Sequence, residues 1–236
     1  MTMPVTYQLK DSVATITMDD GKVNVMSIAM LSALNTALDR AVSDHAVVVL
    51  TGRPGVFSAG FDLPVLTAGG ADARKLLITG FELAHRLLSF PTPVVVACNG
   101  HAIAMGVFLL LAADYRLGVD GPYKIRANEV AIGLTMPHFG VEICRQRLAP
   151  AHFNRAVILS EMFTPADAVP AGFLDRVVSA AELQDEAQTV AAAMTKLNMS
   201  AHAATKLRVR EQTLKATRAA IEADNAPLSF ANEHRD

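Results

Sequence analysis

The sequence contains few of the residues that mark specialised classes of protein. Among its 236 residues there are no tryptophans and two cysteines, and 6 % are aromatic. Cys98 and Cys144 lie far apart and form no CxxC motif, so we expect neither a disulfide framework nor a metal site, and a reducing, cytoplasmic compartment is favoured. The formal net charge of −2 argues against a nucleic-acid partner or an anionic membrane surface.

Several well-known motifs are also missing. The sequence has no Walker A motif, no GxGxxG after a strand, no HExxH and no GxSxG. Its first twenty residues, MTMPVTYQLKDSVATITMDD, alternate and carry charge, which is not the pattern of a signal peptide. These absences exclude the function classes that those motifs identify.

One apolar stretch, residues 93–113, is long enough to suggest a membrane span. However, Asn99-Gly100-His101 interrupts it. The part before the interruption is typical of a buried strand, and the part after it is typical of a buried helix. We therefore predict a strand, a turn and a helix, and no membrane segment.

The remaining pattern is that of an α/β protein, and 51 % hydrophobic residues are ample for a core. Ser27 is a plausible N-cap for the first helix. We predict a hairpin over 5–18, helices over 27–44, 71–90 and 104–113, and strands over 46–52, 94–98, 114–120 and around 123–126. From residue 141 the pattern is helical, with breaks near Pro150, Pro165, Pro170 and Gly172, a strand over 175–178, and long helices over 180–197 and 201–223.

Two loops have the features of an oxyanion-binding site. The first, GVFSAGFDL (55–63), follows a buried strand, and Gly60 allows unusual backbone angles around the N–H groups of Ser58, Ala59 and Phe61. The second leads from Cys98 into a buried helix that begins near 104–106, where free N–H groups and the helix dipole favour an anion. Each loop could equally be an ordinary connection in an α/β core.

A single carboxylate, Glu129, lies between Asn128 and the apolar run Val130-Ala131-Ile132. Burial of a carboxylate raises its pKa, which suits proton transfer near neutral pH. The alternative is a glutamate on the surface or in the N-terminal turn of a helix that merely caps that helix.

Five segments, in this order along the chain, resemble the crotonase (enoyl-CoA hydratase/isomerase) superfamily. They are GKVNVMS (21–27), FSAGFDL (57–63), NGHAIAMGVFLLLAADYRL (99–117), ANEVAIGLTMP (127–137) and GFLDRVV (172–178). The second and third are similar to the two oxyanion-hole segments of that superfamily, and the fourth to the segment that carries its glutamate. The resemblance spans nearly the whole chain.

This resemblance implies a spiral of ββα units over residues 1–178 and a helical trimerisation region over 179–236, forming one continuous unit. It implies a homotrimer or a dimer of trimers, and an acyl-CoA thioester substrate whose coenzyme A is part of the substrate, with no separate cofactor. The N–H groups of Ser58 and Met105 would bind the thioester oxygen. The residues implied near coenzyme A or the thioester are Lys22, Val23, Val25, Ala59, Gly60, Phe61, Asp62, Leu63 and Asn128.

The sequence departs from the pattern of hydratases at one important position. Hydratases of this superfamily use two glutamates, and Phe108 replaces the first while Glu129 retains the second. This combination of an apolar residue and one glutamate resembles the Δ3,Δ2-enoyl-CoA isomerases, which shift a double bond with one glutamate and no added water. A second departure is Met105, where the family usually has glycine.

Two alternatives stay open at this point. One is a hydratase or another acyl-CoA enzyme, with Glu142 or His138 as a second acid–base group. The other is a non-catalytic subunit that binds acyl-CoA. Glu82 and His85 are weaker candidates on a helix that would face the acyl pocket, whereas Asp62, Tyr115 and Arg116 are expected to be structural.

Overall fold

A computed structural model describes residues 3–226 of the chain. In chain order, its strands are β1 (Val5–Lys10), β2 (Val13–Met18), β3 (Val25–Met26), β4 (Val47–Thr51), β5 (Gly55–Ser58), β6 (Gly60–Phe61), β7 (Val94–Cys98), β8 (Gly100–Ile103), β9 (Tyr115–Val119), β10 (Ile125–Arg126) and β11 (Arg176–Val178). Its helices are α1 (Ile28–Ser43), α2 (Leu63–Ala68), α3 (Gly70–Leu88), α4 (Met105–Ala112), α5 (His138–Arg145), α6 (Pro150–Val157), α7 (Pro165–Ala171), α8 (Leu183–Met194), α9 (Met199–Val209) and α10 (Glu211–Asn225).

The strands form a repeating ββα arrangement. A six-stranded sheet has the order β1-β2-β4-β7-β9-β11, and all its pairs are parallel except the β1–β2 hairpin. In the repeats that begin with β4, β7 and β9, the second strand (β5, β8 or β10) instead joins a small parallel sheet of order β10-β8-β5. Consecutive repeats therefore advance along two sheets at once, which confirms the predicted spiral of ββα units.

The apolar stretch 93–113 is a strand, a short second strand and a helix, as the sequence predicted apart from β8. Every residue of β7 and every residue of α4 is buried. A helix that is apolar on all sides is stable only inside the core. Within residues 3–226, no helix is both long and apolar enough to cross a membrane.

The core lies on both faces of the large sheet. α1, α3 and α4 pack on one face, and α8 covers β4, β7 and β9 on the other. α10 packs against both α3 and α5. The buried residues on the α8 face are Val13, Val47, Val49, Val95, Ala97, Leu117, Val119, Leu183, Ala187 and Ala191.

A buried ion cluster fastens the C-terminal helices to the α/β body. The Asp114 carboxylate lies 2.6 Å from Lys206 Nζ and 3.0 Å from an Arg210 guanidinium nitrogen. Nearby, Arg116 is 3 % exposed and pairs with Asp175 at 2.6 Å. The expectation of a structural role for Arg116 is therefore confirmed.

Two parts of the predicted secondary structure were wrong. The helix predicted over 201–223 is two helices, because the chain bends at Arg210 (φ −95°, ψ 9°). This bend lets the Arg210 side chain donate to the Leu88 carbonyl at 2.9 Å. The stretch between β4 and α3 is not a simple loop, since it contains β5, β6 and α2. Residues 227–236 of the predicted C-terminal region lie outside the described residues.

Candidate active site

The two predicted oxyanion loops lie directly against each other. Gly60 has φ +91°, and a Cβ built there would lie 2.8 Å from the Ala104 Cβ and 3.5 Å from the Met105 nitrogen. A Cβ built on Gly106 would lie 2.9 Å from the Ser58 carbonyl oxygen. Only glycine permits so close an approach of two backbones, so these glycines bring Ser58 and the start of α4 together.

The first loop is held in place by its own hydrogen bonds. The Ser58 hydroxyl donates to the Asn24 carbonyl at 2.8 Å and accepts from the Gly60 N–H at 3.1 Å. The Ala59 N–H donates to the Val23 carbonyl at 3.0 Å. The N–H groups of Ala59 and Gly60 are therefore bound within the protein, and neither competes with Ser58 for the predicted role.

Asn24, which was not predicted from the sequence, holds this loop in place through its buried side chain. Asn24 is fully buried with φ +52°, and its side-chain amide donates to the carbonyls of Met18 at 3.0 Å and Phe57 at 3.2 Å. Asn and Asp tolerate the left-handed conformation better than most residues. An asparagine shortly after Asp-Asp-Gly was the available signal, because this composition is typical of a turn.

In the second loop, Met105 is the first residue of α4. The N–H groups of Val107 and Phe108 both donate to the Ala104 carbonyl, at 2.8 and 3.2 Å. The Met105 N–H precedes these bonds, at the positive end of the helix dipole, where donors have no partner inside the helix. The Met105 side chain is buried beside Gly80 of α3, so a residue larger than glycine fits at this position.

Glu129 is buried, with 7 % of the residue exposed. It precedes a short 3-10 turn, Val130–Ile132, and its side chain makes no capping hydrogen bond. Burial raises the pKa of Glu129 to about 7, while a hydrogen bond from its own backbone lowers it slightly. The alternative of a surface glutamate that caps a helix was therefore wrong.

One oxygen of the Glu129 carboxylate is left without a partner by its surroundings in the described part of the chain. Among the described residues, Glu129 Oε2 has no hydrogen-bond partner, and neither has the buried Oδ1 of Asn128. The thiol of Cys144 on α5 is fully buried, and its pKa is raised by burial and then by the Glu129 charge. A carboxyl group in such a place can exist both protonated and ionised near neutral pH.

Phe108 lies one turn into α4, within a group of aromatic rings. Its ring centroid is 6.5 Å from that of Phe81 and 6.3 Å from that of Phe139, and Phe81 stacks on Phe139 at 4.8 Å. Phe108 is fully buried, and a Cβ on Gly140 would come within 2.9 Å of its ring. This position therefore contributes hydrocarbon only, with no group that can hold a water or a proton.

Neither alternative acid–base group on α5 lies in such an environment. Glu142 is in the middle of α5, not at its start as predicted, and pairs with Arg145 at 3.3 Å. His138 is exposed, and its backbone N–H donates to the Asp224 carboxylate at 3.0 Å. That carboxylate also accepts from Phe139, so Asp224 caps α5.

The two weaker acid–base candidates on α3, Glu82 and His85, both contact side chains of α10. The Glu82 carboxylate pairs with the Arg218 guanidinium through two hydrogen bonds. The pKa of Glu82 is lowered, first by the hydrogen bond from Arg218 and against the effect of burial. His85 Nδ1 lies 2.9 Å from the Thr217 hydroxyl.

The segment predicted near coenzyme A lies beside the first oxyanion loop. The Asp20 carboxylate accepts from the N–H groups of Lys22 at 2.8 Å and Val25 at 3.0 Å, and Val25 pairs with Gly60. Lys22, Val23 and Leu63 are exposed. The described residues 3–226 contain no group of three or more His, Cys, Asp or Glu side chains that could hold a metal ion.

The other loop residues are placed as follows. The Asp62 carboxylate accepts from the Val65 N–H at 3.5 Å as the N-cap of α2, which agrees with the structural role expected for it. Phe61 is turned inward, with its ring edge-on to Phe81 at 5.9 Å. Ala59 and Asn128 are half-buried. Contact of any of these residues with coenzyme A stays a prediction.

Comparison with known proteins agrees with this architecture. A family model described as enoyl-CoA hydratase/isomerase matches residues 8–236. The human mitochondrial enoyl-CoA delta isomerase 1 is 31 % identical over 85 % of this chain and 68 % of its own length. Other relatives are named a putative enoyl-CoA hydratase from Thermus thermophilus (29 % identical) and a carnitinyl-CoA dehydratase from Proteus mirabilis (30 % identical).

Two solved structures are more similar still. An enoyl-CoA hydratase/isomerase family protein from Pseudomonas syringae is 53 % identical, with a TM-score of 0.93 over 94 % of this chain and 96 % of that one. A protein from Mycobacterium tuberculosis, described as an enoyl-CoA isomerase in one structure and as a probable enoyl-CoA hydratase in another, is 47 % identical in the first of these, with a TM-score of 0.93 over 97 % of this chain and all of that one. The chain described here belongs to the enoyl-CoA hydratase/isomerase family.

Proposed function

We propose that this protein is a Δ3,Δ2-enoyl-CoA isomerase in which Glu129 is the single proton carrier. The observation that carries the proposal is a buried Glu129 whose Oε2 has no hydrogen-bond partner among the described residues and whose pKa is about 7, in a chain that has Phe108 where hydratases have the other of their two glutamates. A general acid–base group works best when its pKa lies near the working pH. One such group can accept a proton and return it.

In the proposed reaction, the ionised Glu129 removes a proton from C2 of a 3-enoyl-CoA. The electron pair of the broken C–H bond moves into the thioester, and the carbonyl oxygen becomes an enolate oxyanion. Glu129 then returns the proton to C4, where the electron pair of the breaking C3–C4 π bond forms the new C–H bond, while the enolate electrons form the double bond between C2 and C3 and the carbonyl is restored. The atoms balance without water or any other reactant.

The enolate oxygen would accept hydrogen bonds from the N–H groups of Ser58 and Met105. The close contact of their two loops and the position of Met105 at the start of α4 support this role. In acyl-transfer enzymes, removing one such donor costs roughly 3–4 kcal/mol of transition-state stabilisation. Both donors belong to the backbone of rigid elements, so they need no reorganisation during the reaction.

The hydratase alternative requires a second group to hold and activate a water. Phe108 offers none, Glu142 is paired with Arg145, and His138 is exposed. The packing of Phe108 among other aromatic rings disfavours water at that position. These observations favour isomerisation over hydration.

The first experiment compares 3-hexenoyl-CoA and crotonyl-CoA as substrates of the purified protein. We expect conjugated product from 3-hexenoyl-CoA and little loss of the conjugated absorbance of crotonyl-CoA. The Glu129→Gln variant should lose isomerisation by roughly 10²–10⁴-fold, the usual contribution of a general acid–base group. The matched control, Glu142→Gln, removes a carboxylate from a partly exposed ion pair and should retain wild-type activity.

Three results would contradict the proposal in different ways. Isomerisation that survives Glu129→Gln would show that another group carries the proton. Rapid hydration of crotonyl-CoA that Glu142→Gln abolishes would favour a hydratase. Tight binding of both esters without turnover would favour a non-catalytic acyl-CoA-binding subunit.

We also propose that the protein forms a homotrimer or a dimer of trimers. Membership of the family supports this, as do large apolar side chains that are exposed in the single chain, such as Leu159 at 70 % and Val209 at 77 %. Light scattering should give three or six times the 25.1 kDa mass of one chain. A monomer at micromolar concentration would contradict it.

A further inference from the structure

A segment downstream of α6 runs alongside the residues that carry Glu129. Ile125 and Phe163 exchange two backbone hydrogen bonds, each 3.0 Å long. The Arg126 guanidinium donates to the Ser160 carbonyl. The Ala131 N–H donates to the Ser160 hydroxyl at 3.2 Å. The segment 158–163 therefore contacts the chain on both sides of Glu129.

Ser160 is unlike its neighbours in this segment. Ile158, Leu159 and Met162 are 59, 70 and 51 % exposed, whereas Ser160 is 1 % exposed. Its backbone has φ +48°, in the left-handed region that is unfavourable for any residue with a Cβ. Glycine would adopt this conformation without strain, so the hydroxyl is the feature that a serine adds here.

The position of Glu129 depends on the backbone turn that contains Ala131. The N–H groups of Ile132 and Leu134 donate to the Glu129 carbonyl at 3.1 and 2.9 Å, which closes the turn. The carboxylate itself is not fixed in this way, since Oε2 has no partner in residues 3–226. The direction of the side chain therefore depends on its backbone, and the Ser160 hydroxyl binds that backbone two residues further on.

We propose that Ser160 is a positioning residue that holds the Glu129 turn in the geometry required for proton transfer. This inference rests on the proposed function, because it assigns Glu129 the transferred proton. Loss of the hydroxyl would leave the Ala131 N–H without its acceptor and would let the turn move. Misplacing a catalytic group by 1 Å can cost on the order of 100-fold in rate.

The test is the Ser160→Gly variant, which removes the hydroxyl while relieving the backbone strain. A matched control exists in Ser12→Gly, because Ser12 also has a left-handed backbone (φ +62°) but is exposed in the β1–β2 turn. With 3-hexenoyl-CoA, we expect kcat of Ser160→Gly to fall about tenfold or more and KM to change less than about twofold. Ser12→Gly should match the wild type in both.

A second readout does not depend on activity. The Glu129 carboxyl is titrated by NMR in protein labelled with ¹³C-glutamate, and its signal is assigned by its absence from Glu129→Gln. Burial raises the pKa of Glu129 to about 7, and no charged side chain in the described part of the chain contributes to this shift. The nearby titratable group is Cys144 on α5, whose own pKa is raised by the Glu129 charge. A looser turn admits water, so Ser160→Gly should lower this pKa by about one unit or more.

These measurements separate the two proposals. If the wild type does not isomerise 3-hexenoyl-CoA, the proposed function fails, and the titration still decides whether Ser160 holds the Glu129 turn. An unchanged Glu129 pKa in Ser160→Gly, or an unchanged kcat in a wild type that isomerises, would overturn the role of Ser160. Equal effects of Ser160→Gly and Ser12→Gly would overturn it as well.

Discussion

The burial of Glu129 has a consequence for stability that can be measured without a substrate. Glu129 has a pKa near 4.5 in the unfolded chain and about 7 in the folded protein. Between these values the folded state holds a proton that the unfolded state has released, so stability falls as the pH rises. Above pH 7 the folded protein contains an ionised, unpaired carboxylate and is least stable.

The magnitude follows from the two pKa values. Linkage gives a loss of about 1 kcal/mol at pH 5 and roughly 3 kcal/mol at pH 8, relative to fully protonated Glu129. The glutamine of Glu129→Gln has a shape similar to that of glutamate but cannot ionise, so this variant does not lose stability in this way as the pH rises. The advantage of Glu129→Gln over the wild type should therefore be larger at pH 8 than at pH 5 by roughly 2 kcal/mol.

The assay is equilibrium unfolding in urea at pH 5 and pH 8, at one protein concentration because association also stabilises the folded chain. The comparison of two pH values cancels any constant effect of the amide on packing. The control is Glu142→Gln, whose carboxylate is partly exposed and paired with Arg145, and which should change by less than about 0.5 kcal/mol at either pH. If the advantage of Glu129→Gln is equal at both pH values, Glu129 is not a buried carboxylate with a raised pKa.

Three further predictions concern the elements around the site. Gly60→Ala should lower kcat by on the order of 100-fold with 3-hexenoyl-CoA, because the new Cβ would meet the Ala104 Cβ at 2.8 Å and separate the oxyanion loops; wild-type kinetics would contradict this. Asp114→Asn should lower the free energy of unfolding in urea by about 3–5 kcal/mol, since it leaves the buried Lys206 without its carboxylate. A loss under about 1 kcal/mol would show that the ion cluster does not stabilise the packing of the C-terminal helices. Asp224→Asn weakens the cap of α5 and should cost about 1 kcal/mol by the same assay, with a value near zero as the opposing result.

Long elements with a clear pattern were predictable from sequence. Ser27 caps α1 as expected, accepting a hydrogen bond from the Met30 N–H at 3.2 Å. The apolar runs that form β4 and β7 are buried along their whole length. Such runs are recognisable because every residue faces the core, so composition alone reports burial.

Short strands could not be predicted in the same way. β6 has two residues, and β5 and β8 have four, and none of them was predicted, whereas the strand predicted around 123–126 contains β10. A strand needs several residues before alternation becomes visible, and these strands exist because they pair with one another in the small sheets. The bend at Arg210 is similar, since it accompanies a contact with Leu88, 122 residues away in sequence.

The sequence by itself determined the α/β class, the family resemblance and the residue types at the site. The tertiary structure decided which of those groups are buried. Val130 and Ile132 are apolar but 44 and 46 % exposed, whereas Glu129 is buried, because consecutive side chains of a tight turn point in different directions. Ser160 holds that turn from 29 residues further along the chain. A contact between distant residues leaves no local pattern in the sequence, so only the folded chain reveals it.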